Sequence, residues 1–255
     1  MSGRFAATTM LLFQKAEAHG APPLVKLRER LLDLFFPPRC PVCDRVVARG
    51  EVFCAPCLSE LVRTRTPRVS RGERFAFSDF VFLVDYDRRT RPAVLRMKRI
   101  PGSAEAAVFG LALSRLVRET YPDTSFSAVV PVPMSEEKRR RRGFNHAEAL
   151  AAVVAGQLGV PLCCDLLCQR ENAPAQHTLG RAERFRSAAA HYFAATGAAV
   201  AGTVLLIDDI LTSGATLDRC AALLREKGAA DVIAATAAAT PYQNASPAAE
   251  DPPSP

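Results

Sequence analysis

Asp208 and Asp209 follow an apolar run at 204–207 and precede a short turn, Thr212-Ser213-Gly214-Ala215-Thr216, which leads into a helix-forming segment at 217–227. Two adjacent carboxylates can hold the hydroxyls of a sugar, directly or through a metal ion. The turn offers consecutive backbone N–H groups, hydroxyls and one glycine at a helix N-terminus. Unsatisfied amides and the positive end of the helix dipole converge there and attract a phosphate. Together the two parts suit a sugar phosphate. The chemistry needs a rigid frame. Residues 204–207 are apolar and partly β-branched without alternation, which predicts a strand buried on both faces. The carboxylates then emerge at the carboxyl edge, where open α/β sheets bind ligands.

The rest of the chain supplies that frame. Strands are predicted at 80–86, 128–132, 160–167 and 231–237, and helices at 92–98, 104–119 and 145–158. Residues 170–187 are polar without a core pattern; by themselves residues 170–184 read as a surface loop, with a lid of the kind that closes over α/β active sites as the alternative. The alternation predicts an α/β fold, a mostly parallel sheet flanked by helices. Residues 1–22 read as a weakly ordered leader, 24–66 as a helix plus a cysteine module, 75–240 as the α/β domain and 241–255 as a disordered tail. A helix at 24–36 is stopped by Pro37-Pro38, and 63–74 makes a basic linker. No apolar run approaches the roughly 20 residues that span a bilayer.

Cys40-Pro41-Val42-Cys43 and Cys54-Ala55-Pro56-Cys57 are two CxxC knuckles separated by ten residues. Each knuckle can direct two thiolates at one ion, and the pair completes the tetrahedral sulfur site that Zn²⁺ prefers. Four thiolates leave no open position, so the zinc is structural, and Arg45 and Arg49 lie near enough to moderate its charge. Eight cysteines without a secretory leader fit a reducing cytoplasm. The net charge of +7 favours anionic partners, nucleic acid and polyphosphate alike.

Lys138-Arg139-Arg140-Arg141-Arg142-Gly143-Phe144-Asn145 lies between a predicted strand end and a predicted helix start, at the same sheet edge as the phosphate turn. Arg forks suit phosphate oxygens. Five consecutive cations equally make a solvated patch that attracts nucleic acid. Both readings stay open.

The segment 204–217 resembles the phosphoribosyl-pyrophosphate (PRPP) loop of type I phosphoribosyltransferases. The two knuckles, the Pro131-Val132-Pro133 strand end, Arg142-Gly143-Phe144-Asn145 and the Gln176…Leu179…Glu183-Arg184 loop occur in this order before it, and the combination resembles the ComF (competence protein F) family over about 30–240. The chain departs from the family pattern at His146, where Gln is usual, at Ser187, where Asn is usual, at Ser213, where Thr is commoner, and at 98–102, which lacks an aromatic. The resemblance implies a type I phosphoribosyltransferase fold with an N-terminal zinc ribbon, Mg²⁺·PRPP as ligand and a link to DNA uptake in natural transformation. It assigns Asp208 and Asp209 to the ribose hydroxyls as the catalytic pair, and Thr212, Ser213, Gly214, Ala215 and Thr216 to the 5′-phosphate. Lys98, Arg142 and Arg184 are candidates for the pyrophosphate. A single-stranded-DNA or machinery-binding module and a PRPP sensor without turnover are the competing readings. Aromatics for stacking bases are few, at 7% with no Trp.

Overall fold

The computed structural model of the protein describes residues 37–48, 51–61, 75–171, 181–197 and 199–240; the expected leader at 1–22, helix at 24–36 and tail at 241–255, with 62–74 and 172–180, lie outside the described residues. Four strands, β1 (Asp79–Asp85), β2 (Phe126–Pro131), β5 (Thr203–Leu211) and β6 (Asp231–Ala239), form a sheet ordered β1-β6-β5-β2 in which every pair is parallel. Parallel strands need crossover connections, and helices on both faces bury the sheet completely.

On one face lie α2 (Arg91–Arg99), α3 (Ala104–Thr120) and α5 (His146–Leu158), which share a core with Leu205 and Ile207. Gly110 sets the spacing between α3 and α5, because a Cβ there would sit 2.6 Å from Val153 Cβ. On the other face α7 (Ala215–Glu226) packs Leu217, Cys220 and Leu224 against Val204 and Leu206. Among the described residues no single helix is long and apolar enough to cross a membrane.

The cysteine module, with its short helix α1 (Ala55–Leu61), is not a separate bead. Cys40, Phe53, Cys54 and Cys57 belong to the same buried cluster as α2 and α3. The rings of Phe53 and Phe109 meet edge-on at 5.9 Å.

Three expectations are corrected. The strand predicted at 160–167 reduces to one bridge between Leu162 and Val129, and β3 (Leu167–Gln169) starts where it was to end. Pro161 has no N–H to extend a ladder, so only its carbonyl and Cys163 N reach Val129. The polar segment at 170–187 is not all loop. It contains α6 (Arg181–His191), which leads directly into β4 (Tyr192–Ala194), the antiparallel partner of β3. Among the described side chains of this helix only Ala188 is buried, and no apolar stripe marks it in the sequence. Finally, the Asp pair does not follow β5 but lies inside it. The ladder with β6 continues to Leu211, whereas pairing with β2 stops at Ile207. Past that point β5 has an open edge.

Candidate functional site

Side chains alternate across a strand. Asp208 therefore shares its side of β5 with Leu206 and faces α7, and Asp209 shares its side with Ile207 and faces α2 and α5. The two carboxylates point to opposite faces of the sheet.

Asp209 is 5% exposed and two basic side chains lie within ion-pair distance of its Oδ2. Lys98 Nζ, from the last turn of α2, is 2.8 Å away. His146 Nε2, from the first residue of α5, is 2.5 Å away. Burial alone would raise the Asp209 carboxyl, but the His146 hydrogen bond and the Lys98 charge outweigh it and hold the group well below the usual carboxylate range. Asp208 moves the other way. Loss of solvent and the neighbouring Asp209 charge push it up, against the opposing pull of the Asp209 N–H, which donates to Asp208 Oδ1 at 2.9 Å. One carboxylate is locked as an anion, and the other is poised to take a proton.

The Arg-Gly-Phe-Asn segment explains how His146 is aimed. Cations 138–142 form the body of a short helix of their own, α4 (Glu136–Arg142), rather than a loop. Their concentration in its last turn complements the helix dipole. Gly143, at φ +82°, ends it in the left-handed conformation that costs glycine nothing. Asn145 then caps α5, accepting from Ala147 N at 3.0 Å while its amide donates to Val132 O at 3.1 Å. The end of β2 and the start of α5 are thus tied together, and the imidazole reaches across to β5.

The turn at 212–216 leads into a helix N-terminus. Gly214, at φ +82°, is the N-cap of the twelve-residue α7 and brings no capping side chain of its own. The Ala215 N–H donates to Ser213 Oγ, and the helix amides after it can turn to a ligand. Asp218, in the first turn, spends its Oδ1 on Ala76 N at 2.7 Å instead. A side chain at Gly214 would strike the Phe75 ring, since a Cβ there would lie 3.2 Å from it. Thr212 is exposed, Ser213 is part-buried with its Oγ 3.4 Å from Ala215 N, and Ala215 and Thr216 open the helix.

The structure brings Lys98 to the Asp pair, as an ion-pair partner of Asp209. Arg142 ends α4, exposed to solvent. Arg184 falls within α6, and its side chain lies outside the described residues. Arg139 is engaged by Glu148 at 3.1 Å, whereas Arg140, Arg141 and Arg142 are exposed. His146, Gln169 and Tyr192 were not singled out from sequence as site residues. The sequence signal for His146 is its departure from the pattern of the family the chain resembles, directly after the Asn that caps α5.

The cysteine module fits zinc. All four Sγ atoms lie within 4.8 Å of one another. Cys43 and Cys54 Sγ are 3.4 Å apart, near the roughly 3.8 Å that tetrahedral Zn–S bonds of about 2.3 Å impose. Asp44, at φ 59°, makes the tight turn of the first knuckle, and the backbone N–H of Arg45 favours the Cys43 thiolate.

Comparison with known proteins agrees with both halves. A family profile described as "Double zinc ribbon domain" matches residues 31–69, and one described as "Phosphoribosyl transferase domain" matches 141–252. The competence protein ComFC of Streptococcus pneumoniae is 35% identical over 202 residues, 76% of this chain and 84% of the relative. ComFC of Bacillus subtilis is 31% identical over 192 residues, 75% of this chain and 73% of the relative. The chain belongs to the ComF family. A further relative, the DNA utilization protein YhgH of Escherichia coli, is 24% identical over 201 residues, 76% of this chain and 86% of the relative. This ComF-family protein has a type I phosphoribosyltransferase fold with an N-terminal zinc ribbon, in which Cys40, Cys43, Cys54 and Cys57 are grouped closely enough to hold one metal ion.

Proposed function

We propose that the protein binds Mg²⁺·PRPP at the carboxyl end of β5 and acts as a phosphoribosyltransferase in the cytoplasm. The observation that carries this is the N-terminus of α7, with left-handed Gly214 as its N-cap, directly following the Asp208-Asp209 pair on an open strand edge. The amides of α7 after Ala215 and the hydroxyls of Thr212, Ser213 and Thr216 take the 5′-phosphate. Asp208, the more exposed carboxylate, meets the ribose hydroxyls, and Asp209 keeps Lys98 and His146 in register beside them. A nucleophile attacks C1 of the ribose through an oxocarbenium-like transition state as the C1–O bond to pyrophosphate breaks. Arg142 and Lys98 offset the charge that develops on the departing pyrophosphate, and Arg184, carried on α6, is the further candidate for that role. Mg²⁺ bound with PRPP supplies further neutralisation. The eight thiols, none in a disulfide, suit a reducing compartment.

The Bacillus and Streptococcus relatives are named competence proteins and the E. coli relative a DNA utilization protein, and we extend to this chain a link to DNA uptake in natural transformation. A second reading, single-stranded-DNA binding on the same scaffold, is favoured by the exposure of Arg140, Arg141 and Arg142. A salt-dependent shift of a labelled oligonucleotide that disappears when charges 139–142 are removed supports it.

The primary test is titration calorimetry of Mg²⁺·PRPP, with the Asp208→Asn/Asp209→Asn double variant as control. Wild-type binding that the variant loses supports the site, and equal affinity in both overturns it. Pyrophosphate release, screened across nucleobases and single-stranded DNA, separates turnover from sensing.

A further inference from the structure

Residues 75–78, which lead into β1, are fastened to α7 through both backbone groups of Ala76. Its N–H donates to Asp218 Oδ1 at 2.7 Å, and its carbonyl accepts from Arg225 Nε at 2.6 Å. Arg225 is itself held, with Nη1 3.1 Å from Ala230 O and Nη2 2.6 Å from Asp231 Oδ1. Ser78 Oγ donates to the other oxygen of Asp231 at 2.7 Å. Phe77 is buried in the core that contains Leu217 and Leu224. Phe75 stacks on Phe77, with ring centroids 4.9 Å apart and planes 9° from parallel. Held in this way, the edge of the Phe75 ring reaches the turn at 212–216. A Cβ built on Gly214 would lie 3.2 Å from Phe75 Cε1 and 3.3 Å from its Cζ.

Two features of the turn call for such a support. Gly214 has no Cβ to restrict its backbone, and an unrestrained turn must lose that freedom when it closes on an anion. The Phe75 ring stands on the side where a Cβ would project and restrains the glycine from outside. Asp218, in the first turn of α7, suits the helix dipole, yet its negative charge opposes an anion bound at the same N-terminus. The hydrogen bond to Ala76 gives this carboxylate a role that charge does not. We propose that Asp218 and Phe75 are positioning residues: the carboxylate anchors the strap 75–78, and the ring that the strap carries keeps the turn at 212–216 in the conformation that accepts a phosphate. Apparent affinity scales with the fraction of molecules whose turn is already formed. Their role rests on the phosphate reading of the turn and adds to it the residues that pre-organise the site.

Calorimetry with ribose 5-phosphate, at a temperature where each variant is folded by circular dichroism, tests it. Asp218→Ala removes the acceptor, Asp218→Asn keeps an oxygen in its place, and both remove the charge. Anchoring makes the Ala variant bind about tenfold more weakly than the Asn variant, the scale of re-ordering one freed backbone residue. Charge alone would move both variants alike. Phe75→Ala weakens binding to a similar extent, and combined with Asp218→Ala it loses no more than the larger single change, because both act through one strap. Phe75→Leu keeps apolar bulk at this half-buried position but shortens its reach, so it too weakens binding and tests the contact even if Phe75→Ala does not fold. Before ligand is added, the weakened variants exchange amide hydrogens at 213–216 faster than wild type. Lower melting temperatures with wild-type affinity, equal affinity of Asp218→Ala and Asp218→Asn, or additive losses overturn the strap while leaving the phosphate site standing. Failure of the wild type to bind ribose 5-phosphate overturns both.

Discussion

His146 Nε2 meets Asp209 Oδ2 at 2.5 Å, joining the first residue of α5 to the middle of β5 inside the sheet. Both side chains are buried, and Lys98 completes the cluster from a third element. The pair turns a carboxylate that burial would protonate into a fixed anion, and it ties the start of α5 to β5.

Replacing His146 should expose that dependence. His146→Leu leaves the Asp209 carboxylate with Lys98 alone, and we expect a loss of about 1–3 kcal/mol in urea unfolding. His146→Gln keeps an N–H donor at a similar reach and should recover most of the loss. Equal destabilisation by Leu and Gln assigns the role of His146 to packing.

Lys98→Met removes the only cation within ion-pair distance of Asp209 among the described residues, His146 aside. The Asp209 carboxyl should then titrate higher by NMR, and Mg²⁺·PRPP affinity should fall by at least about tenfold, one charge-assisted contact. Lys98→Arg should retain the low carboxyl titration.

Asp208 predicts a pH dependence. Its carboxyl is raised on folding, so the folded state holds a proton that the unfolded chain has released. Its contribution to stability is full below the unfolded value of about 4 and is lost as pH rises through the higher folded one. Asp209, lowered on folding, has the opposite slope at lower pH, so the informative quantity is the difference between wild type and Asp208→Asn. Relative to wild type, the Asn variant should gain stability steadily above about pH 4 in denaturant melts. A flat difference removes the buried-acid assignment.

Zinc removal should reach beyond the ribbon. Phe53 packs on Phe109 and the thiols share a core with α2, the helix that carries Lys98. Chelation at neutral pH is expected to lower the melting temperature of the whole protein in a single transition and to weaken PRPP binding. Two separate transitions, with the higher one unmoved, contradict that coupling.

Gly110→Ala should destabilise by about 1–3 kcal/mol, because the new methyl overlaps Val153 and pushes α3 from α5. Gly110→Ala combined with Val153→Ala should recover part of the loss in thermal melts.

The local chemistry was legible in the sequence. Asp208-Asp209 with Thr212 to Thr216, and the knuckles Cys40–Cys43 and Cys54–Cys57, are each compact in sequence, so residue type and spacing suffice to raise a sugar-phosphate turn and a zinc ribbon as expectations. The alternation of apolar runs also suffices for a parallel sheet. What the fold alone decided depends on contacts between residues far apart in the chain. The extent of β5 past Ile207 follows from its pairing with β6, and that pairing sends Asp208 and Asp209 to opposite faces. Helix α6 hides because its polar sequence carries no apolar stripe, and Ala188 is the one buried residue among its described side chains. His146 and Gln169 carry no spacing signal, since their partners, Asp209 for the first and Ser135 and Tyr192 for the second, lie on other elements. Ligand chemistry was written in neighbouring residues; the electrostatics that tune it came only when distant elements closed around β5.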